Sequence, residues 1–255
     1  METVKFVIIS YQRTGSTYLT LKLNNLNGII CHSELFNRGE EAFKNSIFDT
    51  NILPNNTFFQ RILGIEPAVK LFRLKKRDPI KFLNHIYNQN ASAVGFKIFP
   101  GQNDEVLNLL LNDDHVKKIL LDRENLLRSF TSKKIAIKSG NWSRKTGEEA
   151  SLIKVYINPA EFIQYVGYIT NKMNDYREVM NSTDQIYLDL TYEKFVREVP
   201  LQQIVSFLGL NLEVEDTDVD QSIQNPFPLN EMIINYDELL FELRDTQYED
   251  YLIEQ

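Results

Sequence analysis

Apolar positions along the chain follow two rhythms. Val4 to Ser10 is a nearly continuous, β-branched apolar run, the pattern of a strand covered on both faces. Leu19, Leu23 and Leu26 then fall on one face of a helix that the turn residues Asn27-Gly28 end. Ile29 to Cys31 reads as a second short strand, ending near His32-Ser33-Glu34. Residues 39–90 are less regular, with helices expected around 39–47 and 79–89, a basic stretch between them, and turn signals at Pro54-Asn55-Asn56 and Pro67. Ala93 to Phe99 is a further buried strand, stopped by Pro100-Gly101, and is followed by a helix around 104–112 and a strand from Val116 to Leu121. A helix from about Asn125 to Lys138, a long one from Pro159 to Met180, a strand at Ile186 to Leu190 and a short helix at Pro200 to Leu208 complete the pattern. Strands alternating with helices predict an α/β fold with a mostly parallel central sheet flanked by helices. With no repeat, low-complexity tract or linker, residues 1–255 are expected to form a single domain. Phe58-Phe59, Tyr165, Tyr168, Tyr176 and Leu109 to Leu111 are read as core.

Composition narrows the class. An apolar fraction of 43% and a charged fraction of 25% are globular values and exclude wholesale disorder or a collagen-like chain. The lone Cys31 rules out an intrachain disulfide framework and fits a reducing compartment. The apolar run Phe6 to Ile9 is too short for a secretory signal, and no run approaches a membrane span, so a soluble, cytoplasmic protein without membrane contact is expected. The net charge of −7 argues against nucleic acid as a partner. The charge is nevertheless uneven. Residues 117–145 hold nine Lys or Arg against two acids, residues 70–81 hold six against one, and the stretch 213–255 holds one Arg against thirteen acids. A basic middle in an acidic chain suggests a confined anion site, whereas the acidic tail favours a cationic small molecule at long range.

The stretch with most chemistry is Gln12-Arg13-Thr14-Gly15-Ser16-Thr17, between the first strand and its helix. A short Gly-containing turn that opens a helix aims backbone N–H groups at an anion, and the helix dipole favours negative charge there. Gly15 permits close backbone approach, and Arg13, Thr14, Ser16 and Thr17 add donors. The nucleoside-triphosphate loop G-x-x-x-x-G-K-[ST] is absent, because Ser16 follows Gly15 directly and no Lys precedes the hydroxyl. That disfavours a kinase or ATPase.

Q-R-T-G-S-T-Y-L resembles the 5′-phosphosulfate loop of sulfotransferases that use 3′-phosphoadenosine 5′-phosphosulfate (PAPS). K-K-I-L-L-D-R-E-N-L-L-R-S-F-T-S resembles that family's 3′-phosphate segment, in which a strand ends on an Arg and a hydroxyl follows on the next helix. Arg123 takes the first role, and Ser132 or its neighbour Thr131 the second. The continuation S-K-K-I-A-I-K-S-G-N-W is similar to the bacterial branch typified by trehalose sulfotransferase. Two shorter blocks are similar as well: V-G-F-K-I-F-P to the strand end that carries a Lys near the transferring group, and I-Y-L-D-L-T-Y-E-K-F to a late strand and turn whose Tyr lies by the adenine. The resemblance spans roughly residues 4–210. It implies a P-loop-like three-layer fold, PAPS as co-substrate with 3′-phosphoadenosine 5′-phosphate (PAP) as product, and in-line sulfuryl transfer; the scattered His and Cys and the lack of a carboxylate cluster with ligand spacing suggest no metal site. Arg13 and Lys97 then stabilise charge at the leaving group, and Tyr18 and Tyr192 take adenine-side positions.

An attacking hydroxyl or amine needs a general base. Where the steroid- and phenol-type branch has His, this chain has Phe99, which cannot accept a proton. In the bacterial carbohydrate and protein-tyrosine branches a Glu soon after the first helix serves, and Glu34 stands at the matching place, with His32 as the alternative. The acceptor implied is a small molecule such as a carbohydrate or specialised (secondary) metabolite. The rival readings are a nucleotide or small-molecule kinase on a related fold and a non-catalytic phosphonucleotide-binding module.

Overall fold

The computed structural model describes residues 2–48, 67–144, 146–214, 219 and 223–253. Five strands, β1 (Val4–Ile9), β2 (Ile29–His32), β3 (Ala93–Ile98), β4 (Val116–Asp122) and β5 (Tyr187–Thr191), form one sheet in the order β2-β3-β1-β4-β5. Every pairing is parallel. From β1 the chain goes to the edge for β2, returns to β3 beside β1, and then crosses to the other side for β4 and β5. The C-terminal end of β1 is therefore the place where the winding reverses, and where open parallel sheets present a crevice.

The apolar run in β1 is continuous because both of its faces are covered. Phe6 and Ile8 join Leu19 and Leu23 of α1 (Ser16–Asn24) and Ile119 and Leu121 of β4 in one core. Val7 and Ile9 join Phe96, Leu120 and Phe130 in the other. The first core is closed by α8 (Tyr192–Arg197) and α9 (Leu201–Phe207), through Phe195, Ile204 and Val205. The second is closed by α2 (Glu40–Phe48), α3 (Pro67–Arg77), α4 (Pro79–Tyr87), α5 (Asp104–Asn112), α6 (Leu126–Ser139) and α7 (Pro159–Ser182). The result is three layers, helix–sheet–helix, as the alternation of elements predicts. Phe6 lies over Gly95 of β3, where any Cβ would come within 2.4 Å of its ring.

Several details differ from the pattern. The basic stretch after Pro67 is helical: Pro67 begins α3, where its missing N–H costs nothing. Basic side chains mask its apolar stripe, and one of them, Lys75, is buried. The Lys75 ammonium lies 4.5 Å from the Phe43 ring centroid and 4.6 Å from that of Phe72, and donates to the Asn37 carbonyl at 2.6 Å. Burial, helped by Lys76, pushes Lys75 down to about 8. The stretch after Thr191 is the helix α8 rather than a turn. Ile186 lies outside β5 and is largely exposed. Tyr176 is core, whereas Tyr168 and Leu109 are exposed. The acidic C-terminal part adds α10 (Leu229–Met232), α11 (Tyr236–Leu243) and a 3₁₀ turn (Glu249–Leu252), and Ile233 forms a parallel bridge to Val155. Pro54-Asn55-Asn56 and Phe58-Phe59 lie outside the described residues.

Candidate functional site

Beyond β1 the chain turns through Ser10–Gly15 and enters α1. The Ser10 hydroxyl donates to the Leu121 carbonyl at 2.9 Å and lies 2.5 Å from the Thr14 hydroxyl, which donates to the Tyr11 carbonyl at 3.0 Å. Ser10 and Thr14 are fully buried and lock the turn onto β4. Arg13 (φ 71°) and Gly15 (φ 86°) are both left-handed, which folds the loop back over the helix start. Gly15 caps α1 without a side-chain bond, so the capping position leaves the N–H groups of the first turn open. The Tyr192 ring packs directly on Gly15, where a Cβ would come within 2.1 Å of it.

β3 delivers Lys97 to the same end. Lys97 is 2% exposed, donates to the Thr17 hydroxyl at 2.7 Å and lies 3.6 Å from Glu34 Oε1. Burial lowers its pKa, and Glu34 partly restores it. Glu34 Oε2 accepts from Gln102 Nε2 at 2.8 Å and from Asn37 Nδ2 at 3.3 Å. The carboxylate is thus fixed by two amides and one ammonium. The buried Lys75 holds its loop in turn, through the Asn37 carbonyl.

β4 ends on Asp122 and leads into Arg123. Asp122 is anchored by Tyr11 Oη at 2.6 Å and by Arg177 at 3.2 Å, and Arg177 also grips Asp189 of β5. The Arg123 N–H lies within hydrogen-bond distance of Tyr11 Oη and Asp122 Oδ1. Its guanidinium donates to the Arg13 carbonyl at 2.8 Å, lies 5.0 Å from the Tyr192 ring centroid and approaches Glu193 at 3.5 Å. Arg123 Nε is buried with no hydrogen-bond partner among the described residues. Burial lowers the Arg123 pKa, and Glu193 opposes the shift. Arg13 reaches across to α6, donating to Ser132 Oγ at 2.8 Å, to the Trp142 carbonyl at 2.6 Å and to Gln224 Oε1. Burial and the nearby Arg123 push Arg13 down to about 10.

These groups surround one cavity of about 610 Å³ at the C-terminal edge of the sheet, lined by Arg13, Gly15 to Tyr18, Glu34, Lys97, Arg123, Ser132 and Tyr192. Three sequence candidates lie outside its lining. Thr14 is buried within the loop. Thr131 is fully buried on α6, its hydroxyl without a partner among the described residues, so of the two hydroxyl candidates Ser132 is the one at the cavity. His32 is buried against Gln89, whose amide lies 3.1 Å from its Nε2, and burial pushes it down to about 4. Of the two base candidates, Glu34 is therefore the one that meets the cavity.

The sequence reading missed residues here. Arg128 lines the cavity and donates to the Asn225 carbonyl at 3.0 Å. Its signal was present, as a second arginine five residues after Arg123 in the most basic segment. Gln224 and Asn225 arrive from the acidic C-terminal part: Gln224 meets Arg13 and the Asn141 carbonyl, and Asn225 donates to Ser132 Oγ at 2.9 Å. No motif marks them. Among the described residues no group of His, Cys, Asp or Glu is placed to hold a metal ion, and no helix is long and apolar enough to cross a membrane.

Chemically, the cavity carries an uncapped helix start at one end, arginines and a hydroxyl at another, and a Lys–Glu pair between β2 and β3. That arrangement suits a molecule with two separated anionic groups, with a proton acceptor beside it.

No family model matches the chain, and a search of curated proteins finds no relative. Among solved structures, the chain is similar to a sulfotransferase from Alicyclobacillus acidocaldarius, at 16% identity and a TM-score of 0.45, over 98% of this chain and 95% of that one. Identity and overlap at that level do not assign an activity, and the functional reading rests on the site residues.

Proposed function

We propose that this chain is a sulfotransferase that moves the sulfuryl group of PAPS to a hydroxyl or amine of a small molecule. One observation carries the reading: four separate sequence blocks that resemble that family, at Gln12–Leu19, Lys117–Ser132, Val94–Pro100 and Ile186–Phe195, contribute side chains to a single cavity. The Arg123 guanidinium fits the same nucleotide: its buried Nε makes no hydrogen bond among the described residues and faces Glu193 Oε1 at 3.5 Å, farther than a charge-assisted bond to a phosphate oxygen would be. The first-turn amides of α1, with Ser16 and Thr17, hold the 5′ end. Arg123, Arg128 and Ser132 hold the 3′-phosphate, and the rings of Tyr18 and Tyr192 flank the base.

Bound there, the co-substrate supplies an activated sulfuryl group on a phosphate leaving group. Glu34 takes the proton of the acceptor hydroxyl as that oxygen forms its bond to sulfur and the sulfur–phosphate oxygen bond breaks. Lys97, fixed by Thr17, neutralises the charge that appears on the departing oxygen, whereas the Arg13 guanidinium is turned to Ser132, at the 3′-phosphate end. Lys97 also orients Glu34, so one buried ammonium serves both ends of the transfer.

The test is a melting-temperature comparison with PAP, PAPS, ATP and ATP–Mg²⁺, followed by transfer assays with radiolabelled PAPS. Stabilisation by PAP and PAPS without magnesium, together with label transfer, is expected. Stabilisation by ATP–Mg²⁺ alone would move the protein to the kinase class. PAP binding without transfer to any acceptor would leave a nucleotide-binding module.

A further inference from the structure

A second cavity, of about 370 Å³, adjoins the first: Gln12, Asn37 and Phe99 line both. Its size suits a small molecule. Neighbouring residues of α6 face the two spaces, Ser132 the first and Lys133 the second. Four aromatic residues, Tyr11, Phe99, Tyr165 and Tyr168, line the second beside Ile169. Its charged lining residues are Arg38 and Lys133, and no carboxylate lines it.

Two groups there are incompletely paired. The Lys133 ammonium lies 5.4 Å from the Tyr165 ring centroid, and among the described residues it has no carboxylate partner. The Tyr165 hydroxyl is buried with no hydrogen-bond partner among the described residues. A half-buried cation and a buried, unpaired hydroxyl both lose free energy that a ligand anion would restore. At the other side of the cavity, Gln102 and Asn37 are the two amides that donate to Glu34.

Resting on the sulfotransferase reading, we infer that this second cavity takes the acceptor, and that the acceptor is a hydroxylated aromatic or similarly flat organic anion. Its ring lies along Tyr165, Tyr168 and Phe99. Its carboxylate meets Lys133 and the Tyr165 hydroxyl. Its hydroxyl enters between Asn37 and Gln102, gives its proton to Glu34 and forms the new oxygen–sulfur bond as the sulfur–phosphate oxygen bond breaks. The acidic stretch 213–255 by charge alone favours a cation, but among the described residues none of its carboxylates lines this cavity, whereas Lys133 and Arg38 do.

The experiment is calorimetry on the full chain, with and without PAP, using 3-(4-hydroxyphenyl)propionate, its uncharged amide and tyramine as probes. The carboxylate should bind about 10- to 100-fold more tightly than tyramine, the range of one charge-assisted contact, with the amide between them. Lys133→Met should remove that preference, Lys133→Arg should keep it, and Tyr165→Phe should weaken the carboxylate several-fold. Tyramine binding as tightly as the carboxylate, a preference indifferent to Lys133→Met, or no binding of any probe would overturn the inference. PAP titrations on the same samples keep the two claims apart. PAP binding with no carboxylate preference sinks the acceptor class alone. A Lys133-dependent preference without PAP binding sinks the sulfotransferase reading and leaves the anion cavity standing.

Discussion

Replacing Gly15 with Ala perturbs the site in two separable ways. At φ 86° an L-residue pays the left-handed penalty of about 1–2 kcal/mol. The added Cβ would also sit 2.1 Å from Tyr192 Cδ2 and 2.5 Å from Cε2, so the ring must move, and forced repacking of this kind costs about 1–3 kcal/mol. Together these predict a loss of about 2–5 kcal/mol, or roughly 4–20 °C in melting temperature for a chain of this size. The displaced ring also leaves the Arg123 guanidinium, now 5.0 Å from its centroid. Losing a cation–π contact of about 0.5–2 kcal/mol, on the anchor assigned to the 3′-phosphate, should weaken PAP about 2- to 30-fold. The assay is urea unfolding and PAP calorimetry on wild type, Gly15→Ala, Tyr192→Ala and the double variant. Removing the ring relieves the overlap but not the φ penalty, so the double variant should be about 1–3 kcal/mol more stable than the sum of the singles allows. Full additivity, or a Gly15→Ala protein with wild-type stability and PAP affinity, would refute the packing argument.

Other consequences follow from the same geometry. Glu34→Gln keeps the amide-lined pocket but cannot take a proton, so kcat in a sulfuryl-transfer assay should fall about 10²- to 10⁴-fold with PAP affinity near wild type; unchanged turnover would remove Glu34 from the chemistry. Lys97→Ala should lower kcat and alter the pH profile of transfer, because both Thr17 and Glu34 lose the ammonium that orients them; a profile identical to wild type would contradict that role. His32 supplies a prediction on stability. Burial holds it near 4 when folded, below its ordinary 6.5, so the unfolded chain binds the proton more readily between those values. Stability should therefore fall as pH drops from about 6.5 toward 4, by as much as about 3 kcal/mol, and this residue should add nothing above that window. Urea midpoints at several pH values should show a shallower acid slope for His32→Leu than for wild type, and parallel slopes would contradict the burial argument.

The parts of the fold that were legible in the sequence share a cause. β1, β3 and β4 are covered on both faces, which enforces the apolar runs Phe6 to Ile9, Ala93 to Phe96 and Ile119 to Leu121. α1 was legible because Leu19 and Leu23 must face Phe6 and Ile8. α3 was not, because its stripe includes Lys75, a residue whose charge says surface while its stem and ammonium lie against Phe43 and Phe72. Within the site, Gly15 and Arg13 stand out because a loop between strand and helix restricts which residues fit, whereas Lys97 was marked only by the likeness of V-G-F-K-I-F-P to a sulfotransferase strand end. Gln224 and Asn225 left no trace. They act through single hydrogen bonds to Arg13 and Ser132, contacts across more than ninety residues that set no local pattern. The acidic character of their surroundings was read only as a long-range preference for a cation.

The central claim is that one cavity grips a nucleotide at both ends, between the first turn of α1 and Arg123. Calorimetry of PAP against adenosine 5′-monophosphate, on wild type and Arg123→Ala, tests it most directly. The account predicts that wild type binds PAP at least tenfold more tightly than the monophosphate, without magnesium, and that Arg123→Ala erases most of that difference while leaving the monophosphate nearly unaffected. Equal affinity of the wild-type protein for the two nucleotides would contradict it.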